Sequence, residues 1–189
     1  MDEIFEEDAQ KPRSAKDVAE RLLALMAITS RAFEDVAEQS LSWVKENKID
    51  LYFSSEEKSF YFSQIKPRDK DRTNFSWRLE AAIPLIWALG GMETLPPLTE
   101  SAKISDYEIT NLAYDNPQKF LASVELRSNA EIEEAESEHY NQHWRVRDAQ
   151  LFKKPMPVEL DPSIVYERRY ALSWLVGYGD DWDNVPTDT

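Results

Sequence analysis

Helix start signals constrain this chain more than any other feature. Four segments carry a serine followed three residues later by an acid, the spacing of a capping box, in which each side chain hydrogen-bonds the backbone N–H of the other residue. These pairs are Ser14 and Asp17, Ser54 and Glu57, Ser105 and Glu108, and Ser128 and Glu131. Asn116-Pro117 and Asp161-Pro162 are two further starts, because proline suits the first helical position. These signals predict a helical protein.

Apolar periodicity supports the same fold class. Behind the first start, Val18, Leu22 and Leu25 recur at three- and four-residue steps, the period of an amphipathic helix. The only strand-like segment is residues 50–53. We therefore predict an all-α, single-domain bundle of about seven helices, with at most a very short strand near residues 50–53. Pro84 predicts a kink in the helix that contains it.

Chain length and composition set the domain organisation. The 189 residues fit one domain, and 42% hydrophobic residues are enough for a real core. Residues 1–12 are rich in carboxylates and lack apolar periodicity, so we predict an acidic disordered arm there and a single helical domain over 13–189. The arm is either solvated or docked on a basic partner.

Charge and composition exclude several classes of function. Thirty-six acids against 22 Lys and Arg give a net charge of −14, which disfavours binding to nucleic acid or to an anionic membrane surface. The absence of cysteine excludes disulfides and thiolate metal sites. The acidic start and the lack of a long apolar run predict no membrane span and a cytoplasmic location. The four glycines form neither a phosphate-binding loop nor a dinucleotide fingerprint.

The two histidines of the chain, His139 and His143, lie one helical turn apart. Together with Glu136 they fall on one helical face, and two imidazoles at this spacing can hold a metal ion with a carboxylate as third ligand. The other interpretation is that Ile132 and Val146 extend a buried stripe in which the imidazoles are hydrogen-bonded in the core. The spacing leaves both open; we predict no cofactor, with a divalent metal ion as the alternative.

Two other polar segments have two interpretations each. The aspartates Asp181 and Asp183 could hold a hard cation, or could belong to a capped tail anchored by Trp182. The charges of Glu167, Arg168 and Arg169 interrupt an apolar helix and must be paired if buried. Their partners would be the C-terminal aspartates or Glu136; alternatively, an arginine is held for a phosphate or carboxylate ligand.

Four stretches together carry a resemblance to a known family. They are Trp77-Arg78-Leu79-Glu80 with the following Leu85–Gly90, His143–Ala149, Val165–Leu175, and Asp181-Trp182-Asp183 with Thr187-Asp188-Thr189. With these, the chain from about Pro12 to Thr189 resembles the mostly bacterial family catalogued as domain of unknown function 4272. Ser173 stands where that family carries Asn, and His139 belongs to none of its motifs. The resemblance implies no activity. It singles out a candidate polar cluster: His143, Arg147, Asp148, Glu167, Arg168, Asp181 and Asp183.

Two functions are compatible with these features. The first is a protein-interaction or regulatory binding protein, whose acidic surface would attract a basic protein partner. The alternative is a metal-assisted or carboxylate-based hydrolase. In it the His143 helix and the C-terminal aspartates would hold the ion, and Arg147 or Arg168 would neutralise charge on the substrate. The hydrolase requires the His143 helix to lie beside the C-terminal segment.

Overall fold

The computed structural model describes residues 11–33, 37–63 and 67–188. Within these ranges the chain forms eight α-helices and no strand, which confirms the all-α prediction. The helices are α1 (Ala15–Ala32), α2 (Ala37–Asn47), α3 (Ser55–Tyr61), α4 (Asp69–Ala88), α5 (Glu108–Asp115), α6 (Pro117–Ser123), α7 (Asn129–Leu151) and α8 (Pro162–Leu175). Residues 1–10 of the predicted acidic arm lie outside the described residues.

Helix α1 lies at the centre of the bundle. Nearly every residue from 18 to 29 is buried, so other parts of the bundle surround this stretch of the helix. Helix α1 packs against α4, α4 packs against α8, and α8 packs against α7. The helices α4, α7 and α8 therefore lie next to one another and frame the polar sites described below.

Three of the four predicted capping boxes form. Ser14, Ser54 and Ser128 each accept a hydrogen bond from the backbone N–H three residues on, and the acid at that position accepts one in return. The two proline starts are also confirmed, because the side chains of Asn116 and Asp161 cap α6 and α8. Short polar signals therefore fix the beginnings of five helices.

The prediction of a fourth capping box, at Ser105, was wrong. Residues 104–106 form a 3-10 turn, and α5 begins at Glu108 with Tyr107 in the cap position. The acid is thus the first helical residue instead of the third, so it cannot reach back to the serine backbone. The hydroxyl of Thr110 instead donates to the carbonyl of Tyr107 over 2.7 Å.

Two further local predictions concern residues 50–53 and Pro84, and the kink at Pro84 stays a prediction. Residues Ile49–Tyr52 form a 3-10 turn, so the short strand near residues 50–53 is absent from the described chain. Helix α4 is one continuous helix that contains Pro84. It ends where Gly90 takes a left-handed φ of 77° and the N–H of Gly91 bonds the carbonyl of Ile86 over 2.8 Å, the pattern of a glycine C-cap.

Candidate functional site

A wide polar cleft opens where α4, α7 and α8 meet the C-terminal segment. Its volume is about 840 Å³. Helix α3 contributes Glu56 at the edge, and the C-terminal segment contributes Asp188. The polar and aromatic side chains that line it are Glu56, Asp71, Asn74, Phe75, Trp77, Arg78, His143, Arg147, Gln150, Ser163, Tyr166, Glu167, Thr187 and Asp188. We call this region the α4–α8 cleft.

An ion pair between α4 and α8 forms the floor of the α4–α8 cleft. Arg78 Nη1 lies 3.0 Å from Glu167 Oε2, and the guanidinium also stacks over the ring of Tyr170 at 4.7 Å. Glu167 is buried, and burial raises the pKa of its carboxyl, although Arg78 opposes that shift. The pair leaves a carboxylate in the cleft that is held in one position by its partner.

His143 enters the cleft from α7 as a neutral imidazole. Arg169 Nη1 lies 2.8 Å from His143 Nδ1, and a guanidinium can only donate, so Nδ1 must accept and the ring proton must be on Nε2. Burial, followed by the charges of Arg169 and Arg147, lowers the pKa of His143 to about 4. The edge of the imidazole meets the ring of Tyr166 at a centroid distance of 5.9 Å. At neutral pH the ring is therefore an uncharged N–H donor.

His139 has the opposite tautomer. Its Nδ1 lies 2.9 Å from the carbonyl of Ala135; this oxygen can only accept, so Nδ1 carries the proton. Burial lowers the pKa of His139. Both histidines are buried, as the stripe interpretation required. They do not act as a pair, because His143 is bonded to Arg169, while His139 lines a different groove.

The third member of the predicted metal set has a separate partner. Glu136 Oε1 accepts a hydrogen bond of 3.0 Å from the hydroxyl of Ser173. Within the described ranges, no group of three or more His, Cys, Asp or Glu side chains stands close enough to hold a metal ion. Metal binding by Glu136, His139 and His143 therefore stays a prediction to which this geometry adds no support.

Arg168 is a structural residue and lies outside the cleft. It is fully buried and donates from Nε and Nη2 to Glu80 Oε2, over 3.0 and 2.9 Å. Its remaining donors bond the carbonyls of Pro96, Pro97 and Glu100. The predicted buried Arg–carboxylate pair thus exists. The partners predicted from the sequence, the C-terminal aspartates or Glu136, were wrong for Arg168, because Glu80 on the neighbouring helix α4 occupies that position. The charges of Glu136 and Asp188 act instead on Arg169.

The candidate polar cluster is divided among several places. His143, Arg147 and Glu167 line the α4–α8 cleft. Asp148 pairs with Lys154 over 2.7 Å. Asp181 accepts from the backbone N–H of Asp183 as a cap. The carboxylate of Asp183 accepts from the N–H of Glu56 over 3.2 Å. Asp181 thus caps its own turn, Asp183 contacts the start of α3, and Asp188 is the C-terminal aspartate that lines the cleft.

Sequence reasoning missed the residues of α4. Arg78 and Glu80 pair with Glu167 and Arg168 of α8, so two charges near an apolar run on one helix match two charges within the apolar helix beside it. That complementary pattern was visible in the sequence. It could have indicated that α4 and α8 are neighbours, since buried charges are tolerated when paired.

Together these features define an all-α bundle with one large polar cleft between neighbouring helices. The family model described as Domain of unknown function (DUF4272) matches residues 3–185. The chain belongs to this family. No curated protein and no solved structure matched it. None of the helices in the described part of the chain combines the length and the apolar character needed to cross a membrane.

Proposed function

We propose that this protein is a regulatory interaction protein that binds a basic protein partner in the α4–α8 cleft. The observation that supports this most is the charge of the cleft. Four carboxylates line it, from Glu56, Asp71, Glu167 and Asp188, against two guanidinium groups. The chain as a whole carries a net charge of −14, and a field of this sign speeds the approach of a basic partner.

The aromatic side chains of the cleft suit the same partner. Trp77 and Tyr166 lie on its walls, and 37% of the Tyr166 surface is exposed. A lysine or arginine side chain can place its apolar stem against such rings and its charge near a carboxylate. Asp188 and Glu56 are exposed at the edge of the cleft, where they can meet further basic residues of the partner.

Affinity purification of the full chain from native lysate of the source cells tests this proposal. We expect a stoichiometric partner with a basic isoelectric point, which is released as ionic strength rises because salt screens exposed charges. The triple variant Glu56→Gln, Asp71→Asn, Asp188→Asn should lose it. The matched control Glu38→Gln, Glu46→Gln, Glu133→Gln removes three exposed acids elsewhere and should retain it. Equal retention by both triples would contradict the proposal.

A carboxylate-based or metal-assisted hydrolase is the second candidate. The observation in its favour is that Glu167 and His143 line the same cleft, each with a shifted pKa, since paired groups with shifted pKa values are typical of active sites. Arg147 would then neutralise charge on the substrate. The C-terminal aspartates Asp181 and Asp183 take no part in this version, because Asp181 caps its own turn and the carboxylate of Asp183 accepts from the N–H of Glu56 on α3.

A panel of phosphate and carboxylate esters, assayed with and without Mg²⁺, Mn²⁺ or Zn²⁺, tests the hydrolase. Turnover that is lost in Glu167→Gln and retained in Glu159→Gln would support it, because Glu159 is an exposed acid away from the cleft. Equal trace rates in both variants would contradict it. A cytoplasmic, bacterial setting fits either function and stays a prediction.

A further inference from the structure

The α4–α8 cleft presents hydrogen-bond donors as well as carboxylates. The side chains that donate are Arg78, His143 and Arg147. Apart from Glu167, the acids that line it are Glu56, Asp71 and Asp188, which we call the cleft acids. Asp71 lies about two helical turns before Arg78 on α4, a separation of about 10 Å along the helix. A ligand in the cleft therefore meets donors and acids at different places.

His143 places an unmatched donor in the cleft. Only 5% of the residue is exposed, and Nδ1 accepts from Arg169, so Nε2 carries the ring proton. This N–H has no hydrogen-bond partner among the described residues, and Nε2 is not one of the polar atoms that are sealed from solvent. Since the α4–α8 cleft is the cavity that His143 lines, the N–H opens there and requires an acceptor.

Arg147 adds a positive charge beside this donor. It follows His143 by one turn of α7, so the two side chains are neighbours on the helix, and the charge of Arg147 acts on the imidazole. Its guanidinium bonds Gln150 Oε1 over 3.3 Å and has no carboxylate partner in the described ranges. The remaining donors of this exposed side chain are available to a ligand.

Arg78 contributes further donors from α4. Its Nη1 bonds Glu167, whereas Nε and Nη2 have no partner among the described residues, and neither atom is sealed from solvent. Tyr166 is close to Arg78 and to His143, because it acts electrostatically on the guanidinium and meets the imidazole edge at 5.9 Å. The donors of α4 and α7 thus approach the same part of the cleft, beside Tyr166.

A carboxylate is the acceptor that suits these donors best. Its planar group can accept two parallel hydrogen bonds from a guanidinium, and such charge-assisted bonds are stronger than neutral ones. A phosphate dianion fits less well, because Glu167 and the cleft acids repel a second negative charge. Arg78 offsets the charge of Glu167, since the two are paired over 3.0 Å.

We propose that His143, Arg147 and Arg78 bind a carboxylate of the basic partner, which is either its C-terminus or an acidic side chain next to its basic residues. This inference rests on the proposed function, in which basic side chains of the same partner meet the cleft acids. It adds a requirement that net charge does not impose. A purely basic segment leaves the three donors without an acceptor, so it binds less tightly than one that carries a carboxylate.

Calorimetric titration of the full chain with three peptides tests this requirement. The first is acetyl-Gly-Lys-Gly-Lys-Gly-Gly with a free C-terminus, and the second is its C-terminal amide. The amide has one more positive charge, so attraction to an acidic protein alone would make it the tighter ligand. We expect instead that the free acid binds at least about tenfold more tightly, the effect of a charge-assisted hydrogen bond.

The third peptide identifies the source of the carboxylate. It is an amide in which aspartate replaces the last glycine, so its net charge equals that of the free acid. Affinity equal to that of the free acid would identify an acidic side chain as a sufficient source. Affinity equal to that of the plain amide would identify the C-terminus.

Matched arginine variants locate the site. Arg147→Gln should remove the preference for the free acid over the amide. The control Arg145→Gln removes an arginine of α7 that pairs with Glu159 and does not line the cleft, and it should retain the preference. Equal loss in both variants would overturn the proposal. So would a wild type that binds the amide as tightly as the free acid, or that binds no peptide at about 10 mM, above the millimolar range of weak sites.

The triple variant Glu56→Gln, Asp71→Asn, Asp188→Asn separates this inference from the proposed function. If the triple variant binds both lysine peptides more weakly while the wild type shows no preference for the free acid, the carboxylate site fails and the basic-partner proposal stands. If the preference is present and the triple variant binds as tightly as the wild type, the carboxylate site stands and the basic-partner proposal fails.

Discussion

Arg168 shows how one side chain can fix the relation of two helices and a loop. The residue is fully buried, its partner Glu80 is 2% exposed, and three loop carbonyls take the remaining donors. The low dielectric around such a pair makes it costly to break, because the remaining charge stays buried. The pair connects α8 to α4 and to the loop that joins α4 to α5.

The first prediction follows from that burial. Glu80→Gln should lower the free energy of unfolding by about 3 kcal/mol, since it leaves the charge of Arg168 uncompensated in the interior. Glu159→Gln breaks the pair with Arg145, in which both side chains are about half exposed, and should cost under about 1 kcal/mol. Urea denaturation of both variants measures the difference. Similar small losses would mean that the three carbonyls alone satisfy Arg168.

The second prediction concerns acid stability. The pKa of His143 is about 4 in the folded chain against an ordinary value of 6.5. Between these two values the unfolded chain therefore takes up a proton more readily than the folded chain. The contribution of His143 to the free energy of unfolding is complete above pH 6.5 and decreases as the pH falls toward 4. Below pH 4 it does not change further. The charges that face the imidazole belong to Arg169 and Arg147.

His143→Gln isolates that contribution. The Gln carbonyl can still accept from Arg169 but does not titrate, and the other acids titrate equally in both proteins. Melting temperatures of wild type and variant from pH 7.5 to 3.5 should therefore diverge below about pH 6.5, with the wild type falling more steeply. Parallel curves would show that His143 has an ordinary pKa.

At the scale of elements, sequence signals predicted helix starts well where the capping bonds depend only on residues within one turn. The boxes at Ser14, Ser54 and Ser128 form as expected, because their bonds link residues within one turn. The same pattern at Ser105 fails because a 3-10 turn precedes α5. A short motif cannot distinguish these cases, since the choice depends on how the preceding loop packs.

The third prediction separates a formed box from an unformed one. Ser128→Ala removes the side chain that accepts from the N–H of Glu131 and should cost about 1 kcal/mol of unfolding free energy. Ser105→Ala removes a hydroxyl that caps no helix, so it should change the free energy of unfolding by less than about 0.5 kcal/mol. Thermal unfolding of the two variants provides the comparison. An equal loss at Ser105 would mean that this box forms in solution.

The candidate site was harder to predict than the fold. The helical spacing predicted that His139 and His143 share one face of α7, with a buried stripe as one of two interpretations, but their separate roles depend on what packs against each ring. Arg169 on α8 sets the tautomer of His143, whereas Ala135 within α7 sets that of His139. The family resemblance brought His143 and Glu167 together in one set, and both lie in the α4–α8 cleft. It also included Arg168, whose role is structural.

At the scale of the whole molecule, the segment just before α1 contacts the end of α8. The backbone N–H of Arg13 bonds the carbonyl of Leu175 over 3.0 Å, and its guanidinium stacks over Trp174 at 5.0 Å. The segment before α1 thus covers the C-terminal end of α8, where the last carbonyls of a helix lack partners of their own. At this contact Gly177 takes a φ of 105° directly against the backbone of Lys11.

The last prediction concerns how much the contact between Gly177 and the segment before α1 stabilises the bundle. A methyl group at Gly177 would lie 2.5 Å from the carbonyl oxygen of Lys11, while one at Gly90 would have nothing within 4 Å. Both glycines have positive φ, so Gly90→Ala should cost about 1 kcal/mol from backbone strain alone. Gly177→Ala should cost about 2 to 4 kcal/mol, because it also displaces the segment before α1.

Removing residues 1–13 should then make the two alanine variants equally costly in urea denaturation. If Gly177→Ala stayed more costly in the truncated chain, its effect would originate in the turn that follows α8 and not in the contact with the segment before α1.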